Sequence, residues 1–197
     1  HRQSFGSAPR IIQEDILKID LERLYPRDHV AVIGNLPYHI SKDLIDWFIT
    51  QRSRISAAVL MLQKDFVDKL LSGENSKKYN AQSVMFQLLF QARRCFHVPA
   101  GAFSPAPRIM STVLAAQPAA FPLEAEAAEF YGFVKACFAE RRKTLWNNLS
   151  PHFGAATLTS AFAAGGLAAT DPAEQLAPER FVALWQMARP ASSERGK

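Results

Sequence analysis

Hydrophobic residues follow two rhythms along this chain. Continuous apolar runs at residues 30–33 (Val-Ala-Val-Ile) and 57–62 have the length and composition of strands buried on both faces. After each run the apolar positions change to helical spacing: Leu44, Ile45, Phe48 and Ile49, then Phe66, Val67, Leu70 and Leu71. Ser41 is placed to cap the first of these helices, with Ile40 and Ile45 as a hydrophobic staple. Further strands are expected at 10–13, 94–98 and 111–115, with an apolar segment at 84–90 and a polar loop at 73–80. Strands alternating with helices predict an α/β layer fold of parallel-sheet character.

The pattern changes at 117–123, where Pro118 and Pro122 bracket Ala119-Ala120 and a wholly helical remainder begins. Helices are expected at 124–149, 155–164 and 178–188, the last with Phe181, Leu184, Trp185 and Ala188 on one face. This places an α/β domain at 1–118, a small all-α domain at 123–189 and a disordered polar tail at 190–197.

Composition adds a partner class. The chain has 197 residues and is 48% hydrophobic, enough for one sizeable core with an appendage. Its net charge of +5 favours a polyanionic partner. Cys95 and Cys137 are far apart among apolar residues, which suggests buried free thiols and neither a disulfide nor a zinc site. No apolar run approaches the roughly 18 residues that span a bilayer, so a cytoplasmic protein without membrane or metal is expected. The chain opens at His1 without an initiator Met, as a fragment of a longer protein would.

Candidate chemistry gathers where the first strands end. In an open parallel sheet, ligands sit at the carboxyl ends of strands, where Asp15 and Asn35 fall. Asp15 is suited either to accept hydrogen bonds from an adenosine moiety or to cap a turn. In Asn35-Leu36-Pro37-Tyr38, the Asn35 side-chain oxygen and the Pro37 carbonyl are two acceptors able to converge on a planar exocyclic amine, with Leu36 held extended by the proline. Tyr38 offers a ring for stacking. Two acceptors on one amine aim its lone pair at an electrophile, the geometry that N-methylation by a sulfonium donor needs.

Four ordered segments carry a family resemblance. Gly34-Asn35-Leu36-Pro37-Tyr38-His39-Ile40-Ser41 resembles the amine-target motif of the ribosomal RNA adenine-N6 dimethyltransferases, the KsgA/RsmA family, to which the Erm methyltransferases are related. The segment from Ser76 to Val84 is similar to the family's Ser-Lys-x-Tyr-Gly-x-x-Ser-Val loop, with Asn80 at the glycine position, where a left-handed backbone is expected. The Phe103-Ser104-Pro105-Ala106-Pro107-Arg108 stretch through Ser111, and Phe138 to Leu149 with Arg141-Arg142-Lys143, resemble two more of its motifs.

The resemblance implies an incomplete Rossmann-like methyltransferase domain and a helical RNA-binding domain, using S-adenosylmethionine to dimethylate adenine N6 in small-subunit ribosomal RNA. It implies that Asp15 and Ile16, with Asn35, contact the cofactor, and that Asn35, Leu36, Pro37 and Tyr38 hold the target. Tyr38 and Phe103 would sandwich the flipped base, unless Phe103 packs beneath its prolines. Arg142 and Lys143 would meet phosphate. Arg141 shares the stripe of Phe130, Val134, Phe138 and Leu145, so either the helix breaks there or Arg141 is paired internally, with Glu174 as a candidate.

The family's glycine-rich cofactor loop and acidic ribose-binding residue, which should precede Asp15, are not found in the sequence. The first strands are therefore expected to be absent, leaving residues 1–25 displaced, paired with another chain, or part of a longer protein. The chain as it stands is expected to be an inactive monomer unless strand exchange joins two copies. Two competing readings are a non-catalytic RNA-binding assembly factor and a methyltransferase acting on large-subunit RNA or DNA adenine.

Overall fold

A computed structural model describes residues 11–107 and 109–189. The expected strand at 10–13 is not formed across its described part. Ile11–Gln13 carry no ladder and Ile11 is 91% exposed, because a strand needs a neighbour and no strand of the sheet pairs with this segment. The chain then makes a 3₁₀ turn at Ile16–Lys18 and a short helix α1 (Leu21–Leu24). The expected tail at 190–197 lies outside the described residues, as does Arg108.

Four strands form one sheet in the order β1-β2-β4-β3: β1 (Val30–Asn35), β2 (Ile55–Gln63), β3 (Phe90–Val98) and β4 (Ser111–Pro118). The parallel character expected from the apolar runs holds for β1 and β2 alone, since β4 runs antiparallel to both β2 and β3. Nor is β1 buried on both faces. Its residues alternate between half-buried and exposed, and Ile33 is 84% exposed beside its register partner Val59. The reason is that one face of the sheet has no covering layer among the described residues, since Val59 on the interior strand β2 is also 40% exposed.

The other face carries the core. The α2 helix (Ser41–Gln51) buries Leu44, Ile45, Phe48 and Ile49 as its spacing predicts. Ser41 is not its N-cap, because a 3₁₀ turn at Tyr38–Ile40 feeds directly into the helix and the Ser41 hydroxyl donates back to the Tyr38 carbonyl at 2.9 Å. After β2 comes α3 (Lys64–Leu70), and the apolar segment near 84–90 is a helix, α4 (Ala81–Leu89). Val84, Met85, Phe86 and Leu89 are buried in α4, which packs against α2, α3 and the later helices at Ala127–Cys137 and Pro178–Ala188, and so lies between the sheet and those helices.

Asn80 does not adopt the left-handed backbone expected of it. Its φ is −164°, extended, and its side-chain oxygen caps α4 by accepting from the Gln82 amide at 3.0 Å. The positive φ in this loop falls five residues earlier, at Asn75.

Beyond Pro118 the described chain is helical. The single helix expected at 124–149 divides into a 3₁₀ turn at Glu124–Glu126, α5 (Ala127–Cys137) and α6 (Leu145–Leu149), with an irregular turn at 138–144. Asn148 stabilises the break, its side-chain nitrogen donating at 2.8 Å to the Cys137 carbonyl, which ends α5, and at 3.2 Å to the Glu140 carbonyl in the turn. Two helices complete the chain, α7 (Ala155–Gly165) and α8 (Pro178–Ala188). Of the two cysteines, Cys137 is buried as expected and Cys95 is exposed, because it sits at a ladder irregularity on the edge strand β3.

Candidate functional site

The end of β1 sets the site. Asn35 is its last residue and is exposed, so its side chain stands at the carboxyl end of the sheet. Leu36 then folds back over Gly34, where an added Cβ would lie 3.0 Å from the Leu36 side chain. Pro37 fixes the extended turn (φ −60°, ψ 130°) that opens the Tyr38–Ile40 3₁₀ turn.

Tyr38 is held at both ends. Its carbonyl receives the Ser41 amide and hydroxyl, and its phenol oxygen lies 2.5 Å from the hydroxyl of Ser111, the fully buried first residue of β4. Ser111 in turn is the register partner of Gln63 at the end of β2. Phe103 ends the 3₁₀ turn at Ala100–Ala102 and is half-buried. Asn35, Leu36, Pro37, Tyr38, Phe103, Pro105 and Pro107 thus line one open pocket of about 210 Å³. The two aromatic residues singled out in the sequence, 65 positions apart, lie on the same cavity.

The Pro37 carbonyl already receives the Ile40 amide at 3.3 Å, whereas among the described residues no donor reaches the Leu36 carbonyl. That carbonyl, next to Asn35, is the less committed second acceptor.

Asp15 is not among the residues that line this pocket. It precedes the Ile16–Lys18 turn and accepts from the Leu17 amide at 3.0 Å, the capping geometry that its sequence also allowed. Ile16 packs on the core beside Leu17 and Ile19, and Trp47 ties the segment to α2 by donating to the Ile19 carbonyl at 2.7 Å.

Arg142 and Lys143 are exposed in the 138–144 turn, and Lys143 pairs with Glu140 at 2.6 Å. Arg141 does not pair with Glu174. The helix break turns it outward, and it donates to the Lys77 carbonyl in the polar loop. The same loop is bound to the helical part by Asn75, whose amide donates to the Glu174 carbonyl at 2.8 Å, and by buried Tyr79, which donates to the Leu176 carbonyl at 3.0 Å. Burial raises the Tyr79 phenol pKa strongly, with the charges of Glu74 and Glu179 adding to it.

Two working residues had no role assigned from sequence: Ser111, which fixes the Tyr38 ring, and Tyr79, which fixes the loop. Both lie inside quoted motifs. Their signal was a polar group next to an apolar run, which does not say which partner it meets. Among the described residues no cluster of His, Cys, Asp or Glu could hold a metal ion, and no helix is long and apolar enough to cross a membrane.

Comparison with known proteins bears on this geometry. The family model "Ribosomal RNA adenine dimethylase" matches residues 3–189. The "Ribosomal RNA small subunit methyltransferase A" of Acidobacterium capsulatum is 36% identical over 180 residues, covering 89% of this chain and 64% of that relative. Its namesake in Geobacter metallireducens is 38% identical over 193 residues, covering 93% and 70%. The chain therefore spans about two thirds of the length of the curated relatives it matches. Two crystal structures share the fold. The 23S rRNA methyltransferase ErmE has a TM-score of 0.65 at 21% identity, covering 90% of this chain and 70% of that one. A dimethyladenosine transferase from Plasmodium falciparum has a TM-score of 0.67 at 19% identity, covering 89% and 70%.

Proposed function

This chain belongs to the ribosomal RNA adenine dimethylase family, and we propose that the whole protein dimethylates adenine N6 in small-subunit ribosomal RNA. One observation carries the reading: the end of β1 and the 103–107 loop bring an amide, two backbone carbonyls and two aromatic rings to one open pocket. Small-subunit RNA is favoured over large-subunit RNA by the names of the relatives at 36% and 38% identity.

The target base leaves its stack and enters between Tyr38 and Phe103, a geometry that accepts any flat base. Selection for a base with an exocyclic amine comes from the acceptors. The Asn35 side-chain oxygen and the Leu36 carbonyl take the two N–H groups of the exocyclic amine, with the second lone pair of the Pro37 carbonyl close by. A base with a carbonyl at that position would face them with no proton to donate. Acceptance of both protons draws the nitrogen lone pair out of the ring and fixes its direction. The alkylated amine is acidic enough to release its proton to water, so the pocket needs no general base. The Tyr38–Ser111 hydrogen bond keeps the stacking ring from rotating as the base enters.

S-adenosylmethionine would supply the methyl group as an electrophilic sulfonium carbon. The residues present fit its adenosine end: Asp15 is exposed, the Leu17 amide occupies one carboxylate oxygen, and half-buried Ile16 offers an apolar contact. Arg142 and Lys143 contribute phosphate contacts outside the pocket.

The test is methyl transfer by the protein carrying Asn35→Ala, run beside an RNA-binding assay. Loss of transfer with RNA affinity kept supports the reading. Retained transfer removes Asn35 from the chemistry, and RNA binding without transfer by the wild type moves the non-catalytic assembly factor ahead.

A further inference from the structure

Asp68, within α3, is the meeting point of three cations from three elements. Lys64 Nζ of the same helix lies at 2.7 Å, Arg94 Nη2 of β3 at 3.0 Å and Lys78 Nζ of the polar loop at 3.6 Å. Lys78 also lies 3.6 Å from exposed Asp65. The Lys64 hydrogen bond, followed by the charges of Lys64, Arg94 and Lys78, holds the Asp68 carboxyl below its ordinary range against the opposing effect of burial. Asp68 is 17% exposed at its side chain, whereas the three cations are each more than 40% exposed. Three cations thus meet two carboxylates, Asp68 and Asp65, and the one positive charge left over is presented to solvent.

Contacts connect this node to both functional ends of the molecule. Towards the pocket, Lys64 follows Gln63, the register partner of Ser111, and the Lys64 amide donates to the Met110 carbonyl at 3.0 Å. Ser111 is the residue that holds Tyr38. In the other direction, Lys78 adjoins Lys77, whose carbonyl receives Arg141, and Arg142 and Lys143 follow. Tyr79 anchors the loop beneath, so the lysines stand on a fixed base.

We infer that Lys64, Lys78 and Arg94 form a track for the RNA phosphodiester backbone, leading from the target pocket to the 141–143 turn, with Arg141 as the positioning residue that joins its two halves. This rests on the RNA reading above and names the path the substrate takes. A backbone continuous with the base in the pocket is favoured over an acidic protein, because Lys64 is bonded to the residue preceding Ser111, which holds the stacking ring.

The experiment measures affinity for an RNA hairpin with unpaired adenines in its loop across a series of KCl concentrations. Each lost phosphate contact flattens the slope of log affinity against log salt by about 0.7 for single strands. Lys78→Gln, a surface change, should flatten it by about 0.7, and Lys64→Gln/Lys78→Gln/Arg94→Gln by about 2, with affinity lower by about tenfold or more. Arg141→Gln, which keeps a donor for the Lys77 carbonyl, should flatten the slope less than Arg141→Ala. Wild-type slope and affinity in folded Lys78→Gln and triple variants, with binding weakened by Arg142→Ala/Lys143→Ala, would overturn the track and leave the RNA reading intact. Failure of the wild type to bind the hairpin, with binding to polyglutamate instead, would overturn both.

Discussion

The hydroxyls of Tyr38 and Ser111 lie 2.5 Å apart across 73 residues of sequence, one on the turn after β1 and the other at the buried start of β4. Ser111→Ala should leave the fold intact while freeing the Tyr38 ring. A hydrogen bond of this kind is worth about 1 kcal/mol, so methyl transfer should fall roughly fivefold. Tyr38→Phe should have a similar effect, and the double variant should be little worse than either single one. Single-turnover rates for the three variants check this; additive losses would mean that the two hydroxyls act separately.

Gly34 leaves room for Leu36 to fold back beside it, since an added Cβ would press on the Leu36 side chain at 3.0 Å. Gly34→Val should push Leu36 outward and move the acceptors at 35–37, with a loss of transfer of about 10- to 100-fold. RNA affinity should stay near wild type. Equal losses in affinity and transfer would point to general unfolding.

Tyr79 binds the polar loop to the helical part through the Leu176 carbonyl. Tyr79→Phe leaves that buried carbonyl without its donor, and urea unfolding should show a loss of roughly 1 to 3 kcal/mol. Alkali gives a second readout. Burial raises the pKa of the Tyr79 phenol in the folded protein, so the unfolded chain releases its proton first, at about pH 10. This contribution to stability is present below that pH and is lost as pH rises. The variant should lose less stability in alkali than the wild type.

Asp68 has the opposite linkage. Its folded pKa is lowered, first by the Lys64 hydrogen bond, so its contribution is present above the unfolded value of about 3.9 and is lost as pH falls through the lower folded value. Asp68→Asn should melt lower than the wild type at neutral pH, and the gap should close in acid. A gap constant with pH would show that the carboxylate charge adds nothing to folding.

The local order of elements was legible because each pattern depends on neighbours in sequence. The helical stripe at Leu44, Ile45, Phe48 and Ile49 and that of 178–188 are buried as their spacing predicts. The Asn35-Leu36-Pro37-Tyr38 turn was legible for the same reason. The sequence by itself thus determined where the chain turns and which side chains share a face. What it could not determine was who the neighbour is. Whether residues 30–33 are covered on one face or two depends on what packs over the sheet, and Ile33 and its neighbour Val59 are exposed because no layer covers that face among the described residues. Tertiary structure also decided that the helix expected at 124–149 breaks, since Asn148 satisfies carbonyls that a continuous helix would have used internally. It alone brings Ser111 to Tyr38, Arg141 to Lys77, and Lys64, Lys78 and Arg94 to one carboxylate. A hydrogen bond or an ion pair acts across a few ångströms of space, and along the chain those residues carry no mark of their partners.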